Sequence, residues 1–367
     1  MTAVCDAIGV RDIRAALAIC GRVVPARAVS ETMRHVRLGD GSAEATDGEV
    51  RVRVAIGYAG EQVLLPFSRL EALARACTGD QLQIDCEQGQ ATIRASGGRW
   101  RLPTVDPAEW PAAASEKEGG GGVPVARIPA DQLRRGLEAV IAATDTESSR
   151  YALGGVRLEV TDGTVHLVAT DGRRLYTSQI EIDQAVDDCQ LLLPARAASL
   201  LLTLAKASPD EEIQLELAGE EVVAEVGEGL RLWARQLEGS YPRWRDAIPE
   251  RPDASETVVR ADELAQAIRQ AAICSSETSR GIKLTLGNPI VAEATSSEHG
   301  KSRCEIEPIE ADDAVTLTVD PRYCLDWLRA VDPAEPVTCE ASDKDSALVL
   351  KAEDSTGVIM PMGEEAQ

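Results

Sequence analysis

The stretch VATDGRRLY, residues 168–176, holds a carboxylate, two adjacent arginines and a glycine turn. Those are ingredients of a reactive site. The phrase recurs, however: EATDGEVRV at 44–52 and EATSSEHGK at 293–301 place Thr46, Thr170 and Thr295 at intervals of 124 and 125 residues. Self-similarity at a fixed period is the signature of a repeated structural unit, so the stretch belongs first to an architecture.

Two further anchors keep the same period. QVLLPFSRLEALARA, CQLLLPARAASLLLTLAKA and VTLTVDPRYCLDWLRAV each pass from a strand pattern through a proline (Pro66, Pro194, Pro321) into a helical one. Proline is tolerated at the first helical position, where its missing N–H has no partner to lose, so each proline is expected to open a helix. An earlier helix carries apolar residues four apart, on one face: Ile13 and Leu17, Leu133 and Leu137, Leu264 and Ile268. Alternating segments such as VRLEVTDGTVHLVAT and EEIQLELAGEEVVAEV have strand periodicity interrupted by turn residues. The expected fold class is α+β, with three tandem units of two helices packed on antiparallel sheets, at 1–118, 124–249 and 256–367. EKEGGGGVP (116–124) and ERPDAS (250–255) read as the joins.

A chain of 367 residues is too long for one core. With one Phe, five Tyr and five Trp among 44% hydrophobic residues, its cores must be aliphatic. No apolar run reaches the roughly 18 residues of a membrane span, and Met1–Val10 lacks a basic start followed by an apolar stretch, so the expectation is a cytoplasmic protein without membrane contact. Nine scattered cysteines without CxxC spacing argue against disulfides and zinc, and are expected to be reduced and mostly buried.

A net charge of −23 ordinarily speaks against nucleic acid. The basic residues are unevenly distributed, however. Each expected helix carries at least two, among them Arg11, Arg14 and Arg22, Arg134 and Arg135, Arg196 and Lys206, and Arg260 and Arg269. A shared helical surface could be locally positive; ordinary solvated helix faces explain the same pattern. Composition permits DNA contact without establishing it.

The ordered phrases RYALGGVRLEV (150–160), VATDGRRL (168–175), LEGSYPRWRDAIP (237–249), AAICSSETSRGIKL (271–284) and VIMPM (358–362) resemble the bacterial DNA polymerase III beta subunit, the sliding-clamp family, along essentially the whole chain. The resemblance implies a non-catalytic processivity factor: a head-to-tail homodimer that closes a ring around double-stranded DNA, retained by topology. It implies no cofactor and no metal. It also implies a groove for short peptides of the replicative polymerase, the clamp loader and other partners. The matching positions are Leu153, Thr170, Gly172, Arg173, Arg174, Leu175, Pro242, Ala247, Val358, Met360, Pro361 and Met362, with Ser346 added. Leu, Met, Val and Pro suit an apolar trough, Met adapts to varied partners, and polar groups fix direction. VIMPM taken alone reads equally well as a buried closing strand.

The resemblance further implies a dimer contact of Ile273 and Cys274 against Trp100 and Leu102, repeated by a twofold axis, and DNA contacts at Arg22, Tyr151 and Arg196. Arg134, Arg135, Lys206 and Arg269 join the DNA set from helix position, and Cys274 by itself reads as a buried thiol at a helix end. Several positions depart from the family: Asp246 for an arginine, Ala152 for an aromatic, Ala195 for a basic residue, Glu147 near DNA, and a terminal GEEAQ. Asp246 and that acidic segment are expected to disfavour acidic ligands by like-charge repulsion.

Two rival functions fit parts of the sequence. An enzyme using Asp171 with Arg173 or Arg174 would need a nucleophile and base, and the three histidines (His35, His166, His299) sit in no catalytic or metal-binding phrase. The other rival is a clamp paralogue serving as a protein scaffold outside replication.

Overall fold

The protein is described by a computed structural model covering residues 6–27, 30–87, 89–111, 122–145, 152–182, 187–251, 253–276 and 280–363. Among these residues six α-helices form: α1 (Val10–Cys20), α2 (Phe67–Ala76), α3 (Ala130–Val140), α4 (Ala195–Ala207), α5 (Ala261–Ala271) and α6 (Pro321–Leu328). The residues expected on the inner helical faces lie in the core, with Ile13, Leu17, Leu133, Leu137, Leu264 and Ile268 each at most 1% exposed.

Two expectations at helix ends are corrected. Only Pro321 opens its helix at the first position, where the Asp320 side chain caps it by accepting from the Arg322 N–H. Pro66 and Pro194 instead end the preceding strands, opposite His35 and Gly155, and each helix starts one residue later. The fixed φ of proline suits extended backbone as well as a helix start, so the ring marks the junction and not its side. Arg22, expected on α1, lies in the turn after Cys20.

The chain divides into two compact units. The first comprises Met1–Ala130 and Thr203–Gln236. It holds a four-stranded sheet (Asp6–Gly9, Gln81–Glu87, Gln90–Ala95, Gly98–Pro103 in spatial order) and an eight-stranded one. In the larger sheet Val50–Ala55, from the first repeat, pairs antiparallel with Leu230–Arg235 from the second. The second unit, Asp131–Leu202 with Leu237–Gln367, holds a nine-stranded and a four-stranded sheet. There Arg174–Glu181 of the second repeat pairs with Ser355–Ile359 of the third. In both cases the closing strand of one repeat covers what would otherwise be an open edge of the preceding one, which removes a row of unpaired backbone groups.

The cores are aliphatic, as composition requires, with Trp327 and Tyr176 among the few large aromatics fully enclosed. The eight described cysteines are free thiols. Four of them (Cys20, Cys77, Cys324, Cys339) are buried; Cys86, Cys189, Cys274 and Cys304 are half-buried, more exposed than expected. Burial pushes the Cys20 thiol up to about 12, so it is a packing residue with little thiolate character. No helix among the described residues is long and apolar enough to cross a membrane.

Candidate functional site

The repeated turn is built the same way in its first two copies. In the second, the Thr170 hydroxyl donates to the Arg174 carbonyl (2.7 Å) and accepts from the Gly172 N–H (3.1 Å), while Asp171 Oδ1 accepts from the Arg173 and Arg174 N–H groups (2.9 and 3.0 Å). In the first, Thr46 bonds Val50 and Gly48 (2.9 and 3.1 Å), and Asp47 accepts from Glu49 and Val50 (2.9 and 2.7 Å). Ser296 takes the aspartate's part in the third copy, accepting from Glu298 and His299. Gly48 and Gly172 have φ of +95° and +83°, which a residue with a Cβ adopts only under strain. The Asp171 carboxylate is therefore occupied in closing a hairpin, a shared architectural device.

What distinguishes the second copy is the pair of residues that follows. Arg173 is exposed and makes no ion pair among the described residues. Arg174, the first residue of the strand that follows, is turned inward. Its Nε reaches Asp171 Oδ2 (3.0 Å), Nη1 reaches Asp326 Oδ2 (2.7 Å) and the Tyr176 hydroxyl (3.2 Å), and Nη2 donates to the Ala142 carbonyl. The guanidinium also lies 4.4 Å from the Tyr323 ring centroid. Burial disfavours its charge, yet Tyr176, Asp326 and Asp171 outweigh burial and hold its pKa above that of a free guanidinium. Arg174 thus fastens the turn to α6 and to the short helix after α3.

Beside this turn lies a cavity of about 480 Å³, lined by Leu153, Thr170, Gly172, Arg173, Arg174, Leu175, Ser240, Tyr241, Pro242, Arg243, Trp244, Ala247, Val358 and Met360. Its floor is a buried cluster of Val168, Leu175, Trp244, Ala347 and Val358, with Tyr241 and Ile248 packed against it. Four stretches far apart in sequence supply these walls: Leu153, the turn, the loop 240–247, and the strand Ser355–Ile359 with Met360 just beyond it, where Val358 pairs with Leu175. Both edges of that last strand are taken, by Arg174–Glu181 and by Leu348–Lys351. An added segment would therefore be held by side chains, not by extending the sheet.

Glu159 pins the loop 240–247 from below. It accepts from Trp244 Nε1 (3.3 Å), from Arg157 Nη2 (2.7 Å) and from Arg245. Burial alone would raise this carboxyl; the bonds from Arg245, Trp244 and Arg157 outweigh it and leave the pKa below the ordinary value of 4.5. Tyr241 donates to the Val168 carbonyl (3.2 Å), and His166 stands with its ring centroid 5.6 Å from that of Trp244. Burial first, then the neighbouring Arg245 charge, lower the His166 pKa below 6.5, with Glu159 opposing. Both groups bind protons less readily in the folded state, so both contribute stability that is complete above their ordinary pKa and is lost on acidification. The protein is expected to lose stability as pH falls below 6.5, and more steeply below 4.5. Thermal melting in buffers from pH 8 to pH 4 checks this, and His166→Gln should flatten the upper part of the slope.

Ten of the thirteen residues expected in the groove line this cavity. Ser346, Pro361 and Met362 do not. Ser346 caps a turn, accepting from the Ser342 and Asp343 N–H groups (3.0 Å each) behind the floor residue Ala347. VIMPM splits: Val358 and Ile359 are buried strand, Met360 is 51% exposed at the rim, and the Met362 N–H bonds the Thr318 carbonyl (2.8 Å), away from the cavity lining. Ser240, Tyr241, Arg243 and Trp244 were not anticipated, although SYPRW contains them all; an aromatic pair three residues apart beside a proline was the available signal.

The residues expected at DNA are mostly exposed: Arg22, Arg135, Arg196, Lys206 and Arg269. Arg134 is half-buried and bridged to Asp131 (2.7 Å) and Glu138 (2.6 Å), which leaves it a weaker phosphate ligand than its position on α3 suggested. Tyr151 and Glu147 fall outside the described residues, as does 364–367 of the terminal GEEAQ. Of the expected dimer residues, Trp100 (37% exposed) and Leu102 sit on Gly98–Pro103, the edge strand of its sheet, and Ile273 (74% exposed) with half-buried Cys274 forms the short helix after α5.

Known proteins share this fold. The chain matches the central domain of the DNA polymerase III beta subunit over residues 127–243 and its C-terminal domain over 245–363. It is 27% identical over 329 residues to the beta sliding clamp of Pseudomonas aeruginosa, covering 88% of each chain. The crystal structure of the DNA polymerase III subunit beta from that organism superposes with a TM-score of 0.88 at 25% identity, covering 97% of this chain and 99% of that one. A DNA polymerase sliding clamp from Bacillus subtilis gives 0.90 at 18% identity over 98% and 99%, a likeness of fold alone. With those two domain matches spanning well over half its length, and the turn, loop and closing strand brought together as described, the chain belongs to the DNA polymerase III beta subunit, or sliding-clamp, family.

Proposed function

We propose that the protein is a DNA sliding clamp that acts without catalysis. Two copies join head to tail into a ring around duplex DNA, and the cavity beside the Thr170–Arg174 turn holds peptide segments of the replicative polymerase, the clamp loader and other partners. The observation that carries this is the cavity: a mostly apolar trough assembled from the turn, the loop 240–247 and the strand Ser355–Ile359, with Val358 and Leu175 paired on its floor.

Electrostatics supports encirclement over tight DNA binding. A protein of net charge −23 has little long-range attraction for phosphate. Arginines such as Arg22, Arg135, Arg196 and Arg269, with Lys206, relieve repulsion locally and leave the ring free to slide. The edge strand Gly98–Pro103 with exposed Trp100 supports a dimer contact there, completed by Ile273 and Cys274 of the second copy. The functional divisions are the three repeats, 1–118, 124–249 and 256–367, and the site of action is the cytoplasm. The committed bonds of Asp171 support a structural role for the one motif that resembled catalytic machinery.

The test is topological. After incubation with a clamp loader and ATP, the protein is expected to remain on nicked circular DNA through a high-salt wash and to be released when the circle is linearised. A protein that never becomes trapped, yet still binds partner peptides, is a scaffold paralogue and not a replicative clamp.

A further inference from the structure

The rim of the cavity carries two exposed arginines that the protein leaves without ion pairs among the described residues: Arg173 on the hairpin turn and Arg243 on the loop 240–247. The neighbouring cations are committed, Arg174 to Asp171 and Asp326 and Arg245 to Glu159. Among the described residues, the carboxylates nearby are either bonded in the same way, as Asp171 and Glu159 are, or absent from the lining, as Asp246 is. The apolar trough thus presents a basic rim on a strongly acidic protein.

Resting on the groove function proposed above, we infer that Arg173 and Arg243 select acidic peptides: extended segments whose apolar side chains fill the trough and whose Asp or Glu side chains, beside those anchors, pair with the two guanidiniums. This reverses the sign expected from Asp246 and the acidic terminus. Charges set specificity at contact distance, and the lining holds the arginines and not the aspartate. The net charge acts at longer range, where salt screens it beyond about 8–10 Å. Arginine also suits the task because its planar fork pairs with a carboxylate through two parallel hydrogen bonds.

The test uses the full chain and a random nonapeptide display library, followed by anisotropy measurements on the selected peptides at 50 mM and 500 mM salt. Met360→Asp, at an exposed rim position, reports whether a peptide occupies the groove. Selected peptides are expected to combine apolar residues with Asp or Glu, to weaken about tenfold on the doubly reversed Arg173→Glu, Arg243→Glu protein at low salt, and to lose most of that difference at high salt. Asp-to-Lys versions should bind the reversed protein better than the wild type, which shows that the variant is folded. Peptides that depend on Met360 but show no acidic bias, or that bind both proteins equally, overturn the inference and leave the groove function standing. Failure to recover any Met360-dependent peptide overturns both.

Discussion

Arg174→Ala is expected to destabilise the protein by about 3 kcal/mol and to abolish peptide binding in the groove. Removing the guanidinium leaves Asp171, Asp326 and the Ala142 carbonyl without their shared donor. The two carboxylates stay partly hydrated, at 18% and 25% exposed, which places the loss at the low end for a broken buried pair. Arg174→Lys should rescue little, since one ammonium cannot reach acceptors on three separate segments in the fixed geometry of the guanidinium fork. Urea denaturation gives the first number and anisotropy with a groove peptide the second. A loss below about 1 kcal/mol would mean that the network behaves like an ordinary surface ion pair. The functional loss follows because Arg174 sets the position of Leu175 and Thr170, which face the cavity, relative to α6.

Trp327→Ala is expected to cost about 4 kcal/mol. The indole is fully enclosed on α6 and lies flat enough against Gly357 that a Cβ there would stand 3.0 Å from its Cδ1 and 3.1 Å from its Cγ. Gly357 is thus fixed by close approach, in the strand that also supplies Val358 to the groove floor. Trp327 Nε1 is buried without a hydrogen-bond partner among the described residues, so Trp327→Phe removes an unsatisfied donor while keeping most of the packing. Its cost should stay below about 1.5 kcal/mol. Gly357→Ala added to Trp327→Ala should recover part of the loss by filling space that the indole crowds in the wild type. Equal costs for the Ala and Phe variants would show that the N–H, not the packing, governs the site.

Arg174 ties the second repeat to the third, and Trp327 packs against the strand of the third repeat that pairs with the second, so both predictions bear on how the cavity arises. In the first repeat the corresponding turn is followed by Glu49 and Val50, and Val50 is an ordinary buried strand residue. Replacing that pair by two arginines, one pointing out and one in, turns a shared hairpin into a fastened wall with a cationic lip.

The sequence by itself determined the repeat, the α+β class, the inward face of the first helix in each repeat and the turn at each copy of the phrase. These rest on short-range physics: residues four apart share a helical face, and an Asx-type turn closes within five residues. The resemblance of VATDGRRL, SYPRW and VIMPM to one family also pointed to most of the residues that line the cavity. Only the tertiary structure decided which of two adjacent arginines stays free, that Tyr241, Arg243 and Trp244 line the cavity while Pro361 and Met362 do not, and that strands of successive repeats share a sheet. Those outcomes depend on pairing Leu175 with Val358 across more than 180 residues of chain. Register over such a distance is set by the summed burial and hydrogen bonding of whole strands, a quantity that no local stretch of sequence contains.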